Sequence, residues 1–254
     1  MKAEFFVLLG MKIKIAIVDN RISPDEERKL TLSGYRVLTL PPFSHLSEAV
    51  ASHPDMLIYR LGGELISYAD YCEEASYVFS DLSLLMKGTR FVLTADNVQP
   101  EYPRDVGLNA LRMGNKLFVR RASASSTLLS LAEREGVEIV DVKQGYPACT
   151  VLKLSDSAAI TADRGMAATL EKHGIRVTLI DLGDVSLPPY EYGFIGGAGE
   201  ADGGKLFFFG DVKAHRNADK IIAAAEAEGL RIVPLSGGVL RDLGGIIFAE
   251  CDLN

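Results

Sequence analysis

The sequence predicts an α/β protein: a five-fold pseudosymmetric propeller of β-β-α-β units, its ring closed by pairing of the N- and C-terminal strands. Three observations predict it. A helix-glycine-strand phrase recurs five times, short polar turns join strand pairs ahead of four of the helices, and one unpaired strand is left at each end. The phrase is glycine followed by a β-branched run: Gly34 then Tyr-Arg-Val-Leu-Thr-Leu, Gly88 then Thr-Arg-Phe-Val-Leu-Thr, Gly136 then Val-Glu-Ile-Val-Asp-Val, Gly174 then Ile-Arg-Val-Thr-Leu-Ile, Gly229 then Leu-Arg-Ile-Val-Pro-Leu. Glycine closes a helix in the left-handed conformation without a Cβ clash, and the strand then returns the chain.

In chain order, Lys12 to Asp19 reads as a lone strand, and Pro24 and Asp25 suit the first turn of the helix that follows. Asp55 to Arg60 pairs with Glu64 to Ser67 across Gly62-Gly63, and Val106 to Arg112 with Lys116 to Arg120 across Gly114-Asn115. Short connections of Gly, Asn and Asp are hairpin signals. Ser130 to Glu135 is the next helix. Cys149 to Leu154 pairs with Ala158 to Ala162 across Asp156-Ser157, ahead of a helix through Thr169 to His173. Phe194 to Gly197 pairs with Lys205 to Phe209 across a glycine-rich loop, ahead of a helix through Ala223 to Glu228. The strand Gly244 to Phe248 has no helix after it and completes the fifth unit beside the N-terminal strand, which removes exposed edges. A two-domain doubly wound fold is the alternative, but it leaves the fivefold phrase and the leftover strands unexplained. One domain over 1–254 is expected, with residues 1–10 as a loose arm and Met11 as a second conceivable start.

Composition narrows the function classes. The 254 residues are 48% hydrophobic and 24% charged, with a formal net charge of −7. That balance is globular and argues against nucleic acid or an anionic membrane as partner, since both need a basic face. Lys116 to Arg121 is the nearest approach to a basic patch, and its alternation with Leu117, Phe118 and Val119 reads as a strand. Cys72, Cys149 and Cys251 form neither a zinc pattern nor a secretory framework, so a cytoplasmic protein without metal or cofactor is expected. The apolar run Phe5 to Leu9 is too short for a membrane span.

The repeat, together with Tyr102-Pro103-Arg104-Asp105-Val106-Gly107-Leu108-Asn109, Val142-Lys143-Gln144-Gly145-Tyr146-Pro147-Ala148-Cys149 and Tyr192-Gly193-Phe194-Ile195-Gly196-Gly197, resembles the pentein fold of the guanidine-modifying enzymes. It is similar, more closely still, to an uncharacterised bacterial family assigned to that fold. The resemblance implies a central polar pocket lined by the starts of each unit's first strand. It also implies a cysteine near the C-terminus that attacks a guanidinium carbon, a histidine as acid and base, and carboxylates that grip the cation. This chain departs from that pattern. Phe248 stands where the resemblance places the nucleophile after Gly244-Gly245, Cys251 falls on the other strand face, and the expected His-x-Asp falls on Pro147-Ala148-Cys149.

The candidate site residues follow from that placement. Cys149 opens a strand at the implied pocket and is either a nucleophile or a buried structural thiol. Asn109 and Asp105 hold the equivalent place one unit earlier, as pocket lining or as satisfied core polar groups. Lys143 and Gln144 reach a carboxylate or phosphate from the preceding loop, or are simply solvated. His215, near a helix start, is the histidine to test as a base; His173 complements a helix C-terminus, and His45 and His53 lie in a loop-rich stretch. Arg60 and Asp242 stand near strand starts, to bind a zwitterion or to pair with each other. Gly193, Gly196, Gly197 and Gly199 lie between strand and turn, not at a helix N-terminus, and so do not form a nucleotide loop. Two functions remain open: a protein that binds a small polar guanidino, amidine or amino-acid-like molecule, and a hydrolase or amidinotransferase that uses Cys149. The oligomeric state is not encoded in any of these features.

Overall fold

The computed structural model describes residues 12–252, so the expected arm over 1–10 lies outside the described residues. Strand β1 (Lys12–Asp19) leads through α1 (Pro24–Leu32) to β2 (Tyr35–Leu40). A single turn, α2 (Pro54–Leu57), precedes β3 (Ile58–Leu61), β4 (Glu64–Tyr68), α3 (Ala69–Glu74), α4 (Ser76–Leu85) and β5 (Arg90–Thr94). Then come β6 (Leu111–Met113), β7 (Lys116–Val119), α5 (Ser126–Arg134) and β8 (Glu138–Asp141). A second single turn, α6 (Pro147–Thr150), precedes β9 (Val151–Ser155), β10 (Ala158–Thr161), α7 (Arg164–Lys172) and β11 (Arg176–Leu179). The remainder is β12 (Val185–Ser186), β13 (Gly199–Asp202), β14 (Lys205–Phe208), α8 (Ala218–Ala227), β15 (Arg231–Pro234), β16 (Leu240–Arg241) and β17 (Ile247–Asp252).

Five three-stranded sheets share one order: β17-β1-β2, β3-β4-β5, β6-β7-β8, β9-β10-β11 and β13-β14-β15. In each, the middle strand is antiparallel to the first and parallel to the last. A parallel pair needs a crossover, and the helices after β1, β4, β7, β10 and β14 supply it. The five helix-ending glycines all take positive φ, between 67° and 97°. The leftover strands pair as expected, Lys12 opposite Asp252 through Ile17 opposite Ile247. A two-stranded sheet, β12-β16, is an addition the repeat does not announce.

Local chemistry explains the boundaries. Ser23 caps α1, its side chain accepting from the Glu26 amide while the Glu26 carboxylate accepts from the Ser23 amide. Such a box satisfies two orphan donors at once. Three of the expected hairpins begin too early in the sequence reading, one of them because β6 starts at Leu111 and not at Val106. Pro54 and Pro147 each sit at the first position of a helical turn, so Asp55 and Cys149 lie in turns ahead of their strands. The last strand likewise begins at Ile247, because Gly244 and Gly245 take φ of 70° and 69°. The expected strand Phe194 to Gly197 is a loop and 3-10 turn instead, and β13 turns into β14 at Gly203-Gly204.

The largest core cluster joins Ile15 and Ile17 of β1 to Leu65 and Ile66 of β4, Leu117 of β7 and Leu128 of α5, and Cys149 borders it. Burying each aliphatic side chain stabilises the fold by about 1.5–3 kcal/mol. No described helix is long and apolar enough to cross a membrane.

Candidate active site

The segments just ahead of the first strands converge. His53 and Asp55 come from the turn before β3, Asp105 and Asn109 from the segment before β6, and Cys149 from the turn before β9. Phe194 precedes β13, and Asp242 precedes β17. His53, Asp105, Cys149, Phe194 and Asp242 line one cavity of about 460 Å³. Its wall carries five aromatic rings, Tyr102, Tyr146, Tyr190, Tyr192 and Phe194, and neither lysine nor arginine is among its described lining residues.

At the floor, the Cys149 thiol donates to Asp55 Oδ2 at 2.7 Å. Asn109 Nδ2 donates to the same sulfur at 3.1 Å, and Asn109 Oδ1 accepts from the Ala148 amide at 2.9 Å. His53 is fully buried, yet neither ring nitrogen has a hydrogen-bond partner of good geometry. Its Nδ1 lies 3.8 Å from Asp242 Oδ1 and 4.0 Å from Asp55 Oδ1, and its Nε2 lies 3.9 Å from Asp19 Oδ2. These gaps are too long for direct bonds. Asp19 is neutralised by a two-point contact with Arg21, at 2.9 and 2.5 Å. Asp242 has only backbone donors, Phe194 N at 2.8 Å and Gly244 N at 3.1 Å.

Burial dominates the protonation states. It pushes the Asp55 carboxyl well above the usual carboxylate range, and the nearby Asp242 charge adds to that. The Cys149 thiol is raised well above 9.0 by burial and then by Asp55 and Asp242. Burial lowers His53, against the pull of Asp242 and Asp19. At neutral pH the floor therefore holds a neutral thiol, a neutral imidazole and a protonated Asp55. Asp105, raised by burial, accepts from Tyr146 Oη at 2.5 Å on one oxygen and leaves the other without a partner.

Two glycines are required by this packing. A Cβ on Gly244 would lie 2.4 Å from the Cβ of His53, and one on Gly197 would lie 1.8 Å from Asp242 Oδ1. Backbone presses against the floor there, so no other residue fits without displacing it.

Of the residues singled out from sequence, Cys149, Asn109, Asp105 and Asp242 meet here. His215 does not: its Nδ1 accepts from the Asn217 amide at 3.0 Å, and its ring lines a separate cavity with Arg164 and Asp181. Arg60 and Asp242 neither pair nor share a cavity. Arg60 Nη1 donates to the Phe248 carbonyl at 2.5 Å, and Arg60 faces a cavity on the strand side. Lys143 is exposed and lines none of these cavities, while Gln144 donates to Asp163 at 2.7 Å. The sequence reading missed His53 and Asp55. The signal was present: His53-Pro54-Asp55 is a His-x-Asp ahead of a unit's first strand, two units before the Pro147-Ala148-Cys149 position. Donor atoms of His53, Asp55 and Cys149 lie within 4.8 Å of one another, so this trio is also the set that could hold a metal ion.

The architecture matches solved enzymes over most of its length. An amidinotransferase of saxitoxin biosynthesis from Microseira wollei is 11% identical with a TM-score of 0.55, over 91% of this chain and 92% of that one. Dimethylarginine dimethylaminohydrolase from Pseudomonas aeruginosa, complexed with citrulline, is 10% identical with a TM-score of 0.54, over 89% and 92%. The N-terminal domain of a cyanobacterial arginine dihydrolase, bound to product, is 14% identical with a TM-score of 0.52, over 88% and 91%. At such identities the likeness concerns the fold, which is the pentein fold. No curated protein matches the sequence. The model of a family of unknown function (DUF6873) matches residues 17–247, well over half of the sequence, and this chain therefore belongs to that family.

Proposed function

We propose that this chain is a single-domain, five-fold pentein propeller that binds a small cation with a guanidine or amidine head, and that Cys149 attacks the carbon of that head. The observation that carries this reading is the convergence of Cys149, His53 and Asp242 on an aromatic cavity without a described basic lining residue, with Asp55 bonded to the thiol behind them. The ring is supported by the first strands of all five sheets, which meet at one cavity. Aromatic faces attract a desolvated cation, and unpartnered carboxylate oxygens on Asp55 and Asp105 offer acceptors for its N–H groups. Three relatives in fold are named as enzymes acting on such groups or hold such a product, which agrees with this substrate class.

The chemistry follows from the floor. A cation bound beside Asp242 offsets the charge that holds the thiol protonated, so the Cys149 proton passes to His53. The sulfur adds to the guanidinium carbon, and the C–N bond to the departing amine breaks as His53 returns the proton to that nitrogen. An amidino group is left on sulfur, and water or a second amine then displaces it. Asn109 acts as a positioning residue through its bond to the sulfur. The test is incubation with a panel of guanidino and amidino compounds, read by thermal shift and by intact mass. A stabilising compound that leaves an amidino adduct, absent in Cys149→Ser, is the expected result. Silence across the panel, or one equivalent of zinc that disappears in Cys149→Ser, would replace this reading with protein binding or metal chemistry.

A further inference from the structure

A second cavity, of about 390 Å³, lies on the strand side of the same floor and is touched by the first strands of all five sheets. Unlike the aromatic cavity, it has cations in its lining, beside the acids Asp55, Glu200 and Asp202. Arg60 of β3, Arg112 of β6 and Lys153 of β9 project into it from three successive units. Among the described residues, the two guanidinium groups bond only to backbone carbonyls: Arg60 to Phe248 O at 2.5 Å and Arg112 Nε to Gly114 O at 3.1 Å. Lys153 pairs with Asp156 at 2.7 Å, a carboxylate that is 71% exposed and thus held loosely.

The acids facing these cations do not neutralise them. Asp202 is engaged by Tyr35 Oη at 2.5 Å and by Lys14 at 3.3 Å. Asp55 is bonded to the Cys149 thiol, and burial raises Glu200 to about 7. A partly enclosed pocket in which two guanidinium groups have no described acidic partner draws an anion, and guanidinium forks match the paired oxygens of an oxyanion.

We propose that this strand-side cavity binds a small oxyanion, a phosphate group or a compound that carries one, between Arg60, Arg112 and Lys153. None of the three cations lines the aromatic cavity, so the two sites can be titrated apart.

The probe is inorganic phosphate, compared with chloride at matched ionic strength. Phosphate raises the melting temperature with a saturable dependence that chloride lacks, and Arg60→Gln/Arg112→Gln weakens it at least tenfold. The response of that variant to a guanidino ligand at the aromatic cavity is unchanged. Equal shifts with chloride, or a phosphate response intact in the double variant, would overturn the assignment. Should the variant not fold, phenylglyoxal modification of the wild-type chain decides. Phosphate protects Arg60 and Arg112 from modification if the site exists, and equal modification with and without phosphate refutes it.

Discussion

The reading of the floor turns on one electrostatic exchange, and a charged electrophile tests it directly. In the free protein, burial and then Asp55 and Asp242 hold the Cys149 thiol well above 9.0, so at pH 7.5 almost none is thiolate. A guest cation in the aromatic cavity lies beside Asp242, which lines it together with Cys149. A unit charge at about 4 Å, with an effective dielectric constant of about 20, is worth about 4 kcal/mol, or about three pKa units. That multiplies the thiolate population about a thousandfold. Nucleophilicity falls with basicity, with a coefficient near 0.4–0.5, which leaves a net gain in rate of about 30- to 60-fold. The assay compares 2-chloroacetamidine, a cation, with the neutral 2-chloroacetamide, following alkylation of each cysteine by peptide mass. Cys72, whose thiol burial raises to about 11 away from this site, is the internal reference. The cationic reagent is preferred at Cys149 by about 30- to 60-fold more than at Cys72. An equal preference at both, or faster reaction of the neutral reagent at Cys149, refutes the exchange.

Other perturbations have definite directions. Asp242→Asn removes a charge that keeps the Cys149 proton on, so the pH profile of alkylation shifts to lower pH even as affinity for a guanidino ligand falls; a shift to higher pH contradicts the assignment. Gly244→Ala forces a Cβ to 2.4 Å from that of His53 at φ 70°, and chemical denaturation is expected to record a loss of about 2–4 kcal/mol. Glu200→Gln tests burial on the strand side. Glu200 is raised from 4.5 to about 7, so its contribution is full below about pH 4.5 and is lost as pH rises through 7. The variant has no such loss, and urea midpoints at pH 4.5 and pH 8 are expected to diverge by about 2–3 kcal/mol in its favour; parallel behaviour would place Glu200 in water.

The fold was legible because its signals are local. Gly34, Gly88, Gly136, Gly174 and Gly229 each end a helix by a backbone conformation that glycine alone takes easily, and the leftover end strands then have only each other to pair with. The site was less legible because it is assembled across units. Asn109 and Cys149 are 40 residues apart and Asp55 and Cys149 are 94 apart, and no periodicity reports such contacts. One local signal was overlooked. Proline at the first position of a helical turn marks Pro54 and Pro147 as turns and not strand starts. With both placed in turns, His53-Pro54-Asp55 and Tyr146-Pro147-Ala148-Cys149 occupy corresponding places in their units. His215 misled because a histidine near a helix start fits either a base or a local turn, and here its Nδ1 is spent on the Asn217 amide.

The repeat explains how a chain can lack the expected cysteine after Gly244-Gly245 and still hold a coherent floor. When every unit sends its pre-strand turn to the same place, a nucleophile, a base and a carboxylate can each come from any unit. Here the thiol comes from the turn before β9 and His53 with Asp55 from the turn before β3, while Asp242 sits where the chain returns to its first sheet. The two cavities then differ in their side chains because turns and strands face opposite sides of that floor: Asp105, Glu191 and Asp242 without a described cation on one, Arg60, Arg112 and Lys153 beside Asp55, Glu200 and Asp202 on the other. Asp55 stands between them and lines the strand-side cavity while accepting from Cys149. Its buried carboxyl is neutral only while no cation is near. Asp55 therefore belongs to both sides of the floor, bonded to the thiol on one and lining the cavity on the other.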